Sequence, residues 1–388
     1  MSHKLGIPEA MAAIERYTSA TSAINTNEAL DQQLATLLGP PVSPEPDPHP
    51  LLSELLTASQ FISEYEVMDF LVEGVIEETR LYALTAPTGT GKTAVALTLA
   101  ESIALGLKFG ALQTKKAGVL FLAGENPTDV RVRFMAMVDK NPALKEAPIY
   151  FIKNPFDIEE AYIQIKVMLD LYDDIKLVII DTLQAFFIGD DANSNTQKIG
   201  FAKSLRSICN FGVAVLVNAH PVKNPQKNSN EPYGGGSFVN EIDGNLALWP
   251  EPDGSIEFYW CKKFRGSFEP FKLELKNVEV ESARNSRGEK LTTVIAKPID
   301  DQRERQIHSQ SQTDDMHVLR LFQDIGVIKR QVDVAKRLDW KYPKGTPDGS
   351  RVRRVIDRLL KDGLITENRH GYCINKKGKD VLRDETPF

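Results

Sequence analysis

The stretch "TAPTGTGKT" at residues 85–93 closes the apolar run "RLYALT" with glycines, a lysine and a hydroxyl. Its spacing matches G-x-x-x-x-G-K-[ST], with Ala86 in the place of the first glycine. Gly89 and Gly91 let the backbone wrap an anion and turn its N–H groups inward. Lys92 brings a point charge suited to β- and γ-phosphates, and the Thr93 hydroxyl can ligate Mg²⁺. The spacing therefore implies a phosphate-binding loop made by Thr88, Gly89, Thr90, Gly91, Lys92, Thr93 and Ala94, with ATP and Mg²⁺ as the expected ligands.

Such a loop needs an acid to hold the metal. "KLVIIDT" ends an apolar run in Asp181, which suits that role; a strand-end Asp capping a turn is the plainer reading. Hydrolysis also needs a group to orient water. "GVLFLAGENP" places Glu125 just after an apolar run, where it serves either as that base or as an acid favoured by a helix N-terminus. His220 closes "VAVLVNAH", at the edge where a sensor of the terminal phosphate would stand, or where a histidine simply bonds a carbonyl. The long loop "PVKNPQKNSNEPYGGGSFVNE" follows it, and Lys223 and Lys227 there could meet a nucleic-acid backbone. In "WCKKFRGSFEP", Lys263 and Arg265 stand two apart on a strand and share one face. The pair suits either a charge clamp reaching a neighbouring subunit's phosphates or a solvated strand end.

These residues need a frame to bring them together. "LYALT", "GVLFLA", "IYFI", "KLVIID" and "VAVLVNA" read as strands, separated by amphipathic stretches near 92–108, 127–139, 158–172 and 196–211. Near-continuous Val/Ile/Leu strands alternating with helices predict an α/β fold with a parallel sheet covered on both faces. Beyond residue 240 the pattern turns strand-rich. The expected division is an appendage and Pro-rich linker at 1–50, a core at 51–299, a polar linker at 300–315 and a C-terminal domain at 316–388. In that last domain, three helical stretches and "LITENRHGYCIN" follow the plan of a small winged helix-turn-helix.

Composition sets limits. The chain has 388 residues and a net charge of −6, with hydrophobic and charged fractions of 42% and 26% that suit ordinary globular domains. Residues 316–388 hold 17 Lys and Arg against 10 Asp and Glu, so a basic end is joined to an acidic remainder. That asymmetry points to a local polyanion contact rather than a basic coat. Arg351, Arg353, Arg354 and Arg358 crowd the third helix and are the expected duplex-DNA contacts there; docking of a protein is the alternative. Three widely spaced cysteines exclude a disulfide framework and a Cys-rich zinc module. With no apolar run long enough to span a bilayer, the expectation is a cytoplasmic protein without membrane contact.

The motifs "APTGTGKT", "LFLAGEN", "LVIIDT", "VNAH" and "KFRG" occur in this order, and over residues 60–275 the chain resembles the RecA/DnaB superfamily of ring-forming ATPases. It is most similar to RepA-like replicative helicases of plasmid and phage type. The resemblance implies a RecA-like P-loop NTPase core hydrolysing ATP at the interfaces of a homo-oligomeric, commonly hexameric, ring around single-stranded DNA. It further implies Glu125 as catalytic base, His220 as γ-phosphate sensor, Lys263 and Arg265 acting in trans, and Arg133 stacking on adenine. Ala86 and the single His220 depart from the family's pattern. The expected function is a helicase or DNA translocase in replication or recombination of a mobile element. The alternative is a non-helicase regulator or loader that remodels a replication or defence partner.

Overall fold

The computed structural model describes residues 55–63, 65, 69–187, 195–233, 235–264, 266, 268–342 and 345–384; the expected appendage at 1–50 lies outside them. Two units are distinguished, residues 1–69 with 160–173 and residues 70–159 with 174–388. In the described part of the first are two helices, Ala58–Ser63 and Tyr162–Leu171. Thr57 and Gln60 start the former with reciprocal bonds, the Thr57 N–H to Gln60 Oε1 at 2.9 Å and the Gln60 N–H to Thr57 Oγ1 at 3.3 Å.

The second unit opens with a short hairpin, β1 (Phe70–Val72) and β2 (Ile76–Glu77). Its centre is a nine-stranded sheet in the order β11-β10-β9-β8-β3-β7-β6-β4-β5. The strands β3 (Leu81–Thr85), β4 (Gly118–Ala123), β5 (Ile149–Ile152), β6 (Ile175–Asp181), β7 (Ala214–Ala219) and β8 (Gly244–Pro250) are parallel. β9 (Ile256–Phe264), β10 (Phe271–Arg284) and β11 (Lys290–Pro298) continue it antiparallel. Every residue of β3, β4 and β7 is buried, as their largely apolar sequences require of strands covered on both faces. From β3 the chain crosses to β4, beyond β7 and β6, then returns; the strand order therefore reverses beside β3, where open α/β sheets bind ligands at the carboxyl ends.

Helix α1 (Lys92–Leu105) follows β3, and α2 (Pro127–Lys140) follows β4. α1 is buried on most of its circumference, because the β10–β11 extension covers the side away from the parallel strands. The Thr98 hydroxyl donates to the Ala296 carbonyl of β11 at 2.9 Å. α3 (Asn195–Cys209) precedes β7, and α4 (Gly235–Glu241) precedes β8. Among the described residues no helix is long and apolar enough to cross a membrane.

The region expected as a polar linker, 300–315, is helical, forming the first part of the 25-residue helix α5 (Asp301–Ile325). Asp300 caps it, accepting from the Arg303 N–H at 2.7 Å, and Asp301 and Glu304 complement the positive helix end. Its first turn is tied to β10 by Arg303–Glu274 at 2.9 Å and Lys272–Glu304 at 2.8 Å. Then come α6 (Gln331–Arg337), α7 (Gly349–Lys361), the hairpin β12 (Ile365–Asn368) and β13 (Gly371–Ile374), and α8 (Lys376–Asp384). Val318 and Phe322 of α5, Val334 of α6, and Val352, Ile356 and Leu359 of α7 form a separate buried cluster with Ile365 and Leu382.

Candidate nucleotide site

The loop between β3 and α1 is shaped by its glycines. Gly89 has φ +81° and Gly91 φ +92°, conformations open to glycine and costly to other residues. Gly91 is also held sterically, since a Cβ there would meet Leu275 Cδ2 of β10 at 2.9 Å. Ala86 is wholly buried, so the methyl group in place of the usual glycine sits in the core rather than in the cradle. Thr88 and Gly89 are exposed at the apex, Thr90 and Ala94 are buried, and Thr93 is half-buried.

Lys92 is buried and its Nζ donates to the Ala86 carbonyl at 3.0 Å. Burial lowers its pKa, against the raising pull of Asp181 and Glu125. Opposite, at the end of β6, Asp181 accepts from the Thr93 hydroxyl at 2.9 Å and from Asn218 Nδ2 of β7 at 2.9 Å. Burial raises Asp181 above the usual carboxylate range, while the bonds from Asn218 and Thr93 act the other way. A desolvated carboxylate bonded to the loop hydroxyl is the donor set expected to hold a hard cation, and a cation would favour its charged form. Among the described residues no cluster of three or more His, Cys, Asp or Glu makes a self-sufficient metal site. The donors thus fit Mg²⁺ brought with nucleotide phosphates, held by Thr93 and Asp181.

Glu125 lies past the end of β4 and before the N-cap of α2, which is Asn126; Asp129 is the acid of the first turn. The N–H groups of Gly124 and Glu125 both donate to the Asp181 carbonyl, at 2.9 and 3.2 Å, so the two acids are positioned by one backbone junction. Gly124 makes that junction possible, because a Cβ there would fall 2.5 Å from Phe186 Cε2 and 3.0 Å from Ala185 Cβ. Phe186 is buried and packs edge-on against Phe156 at 5.3 Å, leaving the ring little room to yield. Gly124→Ala is accordingly expected to lower stability by about 1–3 kcal/mol through overpacking. Urea unfolding checks this, and an unchanged midpoint would contradict the packing.

His220 Nε2 stands 3.9 Å from Glu125 Oε2. Burial lowers its pKa, assisted by the Lys92 charge, which favours a neutral ring at this edge. The loop behind it is pinned rather than loose. Asn230, fully buried, donates to the carbonyls of Thr85 and Leu248 at 3.2 Å each, and its own carbonyl accepts from Asn245 at 2.9 Å. The Thr85 hydroxyl in turn donates to Asn245 Oδ1 at 2.8 Å, so loop, P-loop strand and β8 share one buried polar network.

Several other expected residues have partners within the chain. Arg133, expected over adenine, is engaged by Asp129 at 2.8 Å and by the Val294 carbonyl at 2.5 Å, because β11 lies against α2. Lys223 is exposed, and Lys227, half-buried, pairs with Glu251 at 2.7 Å and Glu257 at 2.6 Å. On α7, Arg351 pairs with Asp314 at 2.6 Å and lies over the Trp340 ring at 4.2 Å; Arg358 pairs with Asp315 and the Pro252 carbonyl. Both are therefore turned inward, while Arg353 and Arg354 are exposed. Lys263 belongs to β9, with its side chain outside the described residues, as is all of Arg265.

Asn218 and the Thr85–Asn230–Asn245 network were not anticipated as site residues. For Asn218 the signal was an amide at the end of a buried strand two places before His220; the network's partners are too far apart in sequence to read.

Residues 45–226 match the family model described as an AAA domain. The match supports a P-loop ATPase domain in this chain. The matched span of this P-loop ATPase domain takes in the loop at 86–93, Glu125, Asp181 and His220. No curated protein matches the chain.

Proposed function

We propose that the chain is a DNA-dependent, RecA-like ring ATPase, acting as a helicase or translocase of the RepA/DnaB type in replication or recombination of a mobile element. The observation that carries the motor is the junction that places Glu125 and Asp181 on one carbonyl, with His220 3.9 Å from Glu125. In this reading the N–H groups of Gly89–Thr93 and the Lys92 ammonium bind the triphosphate. Thr93 and Asp181 would hold Mg²⁺, which would supply neutralisation of the developing phosphate charge. Glu125 orients water and takes its proton, and the neutral His220 ring registers the terminal phosphate at the head of the pinned loop. Lys263 and Arg265 of a neighbouring subunit complete the charge clamp. The residue 316–388 region acts as a winged helix, and among the expected basic contacts Lys223, Arg353 and Arg354 are the exposed ones.

The inward pairing of Lys227, Arg351 and Arg358 favours a second reading, a ring that remodels a protein partner with fewer DNA contacts. Turnover with and without single-stranded DNA, together with strand displacement on a forked duplex, separates the two. DNA-stimulated turnover with displacement is expected. Turnover indifferent to DNA, with no displacement, would overturn the helicase reading in favour of the remodeller.

A further inference from the structure

Beside the apex of the P-loop lies a cavity of about 410 Å³, within the range of small-ligand sites. Gly89 and Thr90 form one wall, the β8–β9 turn another, and α7 the third. The C-terminal region thus reaches the edge of the nucleotide site of its own chain.

The charges around this cavity do not balance locally. Glu251 shares Lys227 with Glu257, at 2.7 and 2.6 Å, and Asp357 lies 3.8 Å from Arg353. Arg358 is used to anchor α7, through Asp315 of α5 and the Pro252 carbonyl of the turn. Arg354 and Lys361 remain, both exposed and with no ion pair among the described residues. The turn is also shaped around Arg354. Gly254 has φ +87°, and a Cβ there would stand 3.0 Å from Arg354 Nε, so the guanidinium rests on bare backbone. Two uncompensated cations facing a loop whose own N–H groups bind phosphate call for a polyanion.

We propose that Arg354 and Lys361 close the nucleotide site in cis, contacting the anionic part of a nucleoside triphosphate held by the P-loop. The proposal rests on the P-loop being a nucleotide site, and it makes the C-terminal region an element whose docking and nucleotide binding are reciprocally linked. Whatever draws α7 from the turn weakens nucleotide binding, and bound nucleotide holds α7 in place.

Calorimetric titration of the full chain with Mg-ADP and a non-hydrolysable ATP analogue, at two salt concentrations, tests this. Arg354→Ala with Lys361→Ala is expected to weaken the triphosphate roughly tenfold or more, with a shallower salt dependence. Lys329→Ala with Lys336→Ala, a charge-matched change elsewhere in the region, should leave affinity within about twofold. Arg354→Lys with Lys361→Arg keeps both charges and should retain most binding. If thermal melting shows that the double alanine variant has lost its fold, Arg354→Gln alone takes its place. Affinity and salt slope like the parent's, in a background where Lys92→Ala abolishes binding, would overturn the proposal and spare the nucleotide site. An equal loss in the charge-keeping variant would also overturn it, by showing packing rather than charge. No nucleotide binding by the parent itself would remove both readings together.

Discussion

Lys92→Ala is expected to abolish ATP turnover, by at least about a hundredfold, the scale on which removal of one preorganised charge-stabilising donor is felt. Lys92 starts α1 from a left-handed glycine, is buried, and bonds the Ala86 carbonyl at 3.0 Å, so its ammonium has one well-defined position. Burial works against its charge, and Asp181 and Glu125 work for it. That opposition holds a desolvated cation ready for phosphate at little reorganisation. Alanine removes the charge while the glycine backbone of the loop remains, so binding of triphosphate weakens together with turnover. Lys92→Met, which keeps the aliphatic length, should fail equally, because the charge and not the packing is the functional part. Phosphate release by either variant at the parental rate would sink the P-loop assignment.

Legibility in the sequence followed the physics of each element. β3, β4, β6 and β7 announce themselves because a strand buried on both faces must be largely apolar, and few other contexts demand that. Gly91 and Lys92 are legible because phosphate binding needs those types at that spacing. α5 was hidden for the opposite reason. Its first half is polar on every side and has no apolar period, yet a capping aspartate and two ion pairs to β10 suffice to start it. The partners of the arginines are hidden in a similar way. Arg351 and Arg358 carry the charge of a nucleic-acid contact, but their acids, Asp314 and Asp315, lie on α5, and only folding brings the two helices together. Arg133 and Lys227 are the same case, each held by acceptors whose proximity depends on the sheet's antiparallel extension or on a pinned loop.

Glu125→Gln should separate binding from chemistry where Lys92→Ala loses both. Glu125 precedes the N-cap of α2 and is half exposed, its side chain at 52%, so the substitution removes no core packing and leaves the fold as it is. The amide keeps the size and the hydrogen-bonding reach of the carboxylate but cannot accept a proton from water. A positioned general base contributes about 10²–10⁴-fold, and turnover should fall by that order. Nucleotide affinity should hold or rise. The Glu125 charge helps to keep the Asp181 pKa high, so neutralising it eases ionisation of the acid assigned to Mg²⁺. It also withdraws one of the two charges that sustain Lys92, but Asp181 remains, and its pull on that ammonium is the stronger of the two. The predicted protein binds Mg-ATP about as tightly as the parent and accumulates in the triphosphate state, which single-turnover quench measurements read directly. Hydrolysis at the parental rate would mean that the base lies elsewhere, and that the backbone junction joining Glu125 to Asp181 serves the fold of the sheet edge alone.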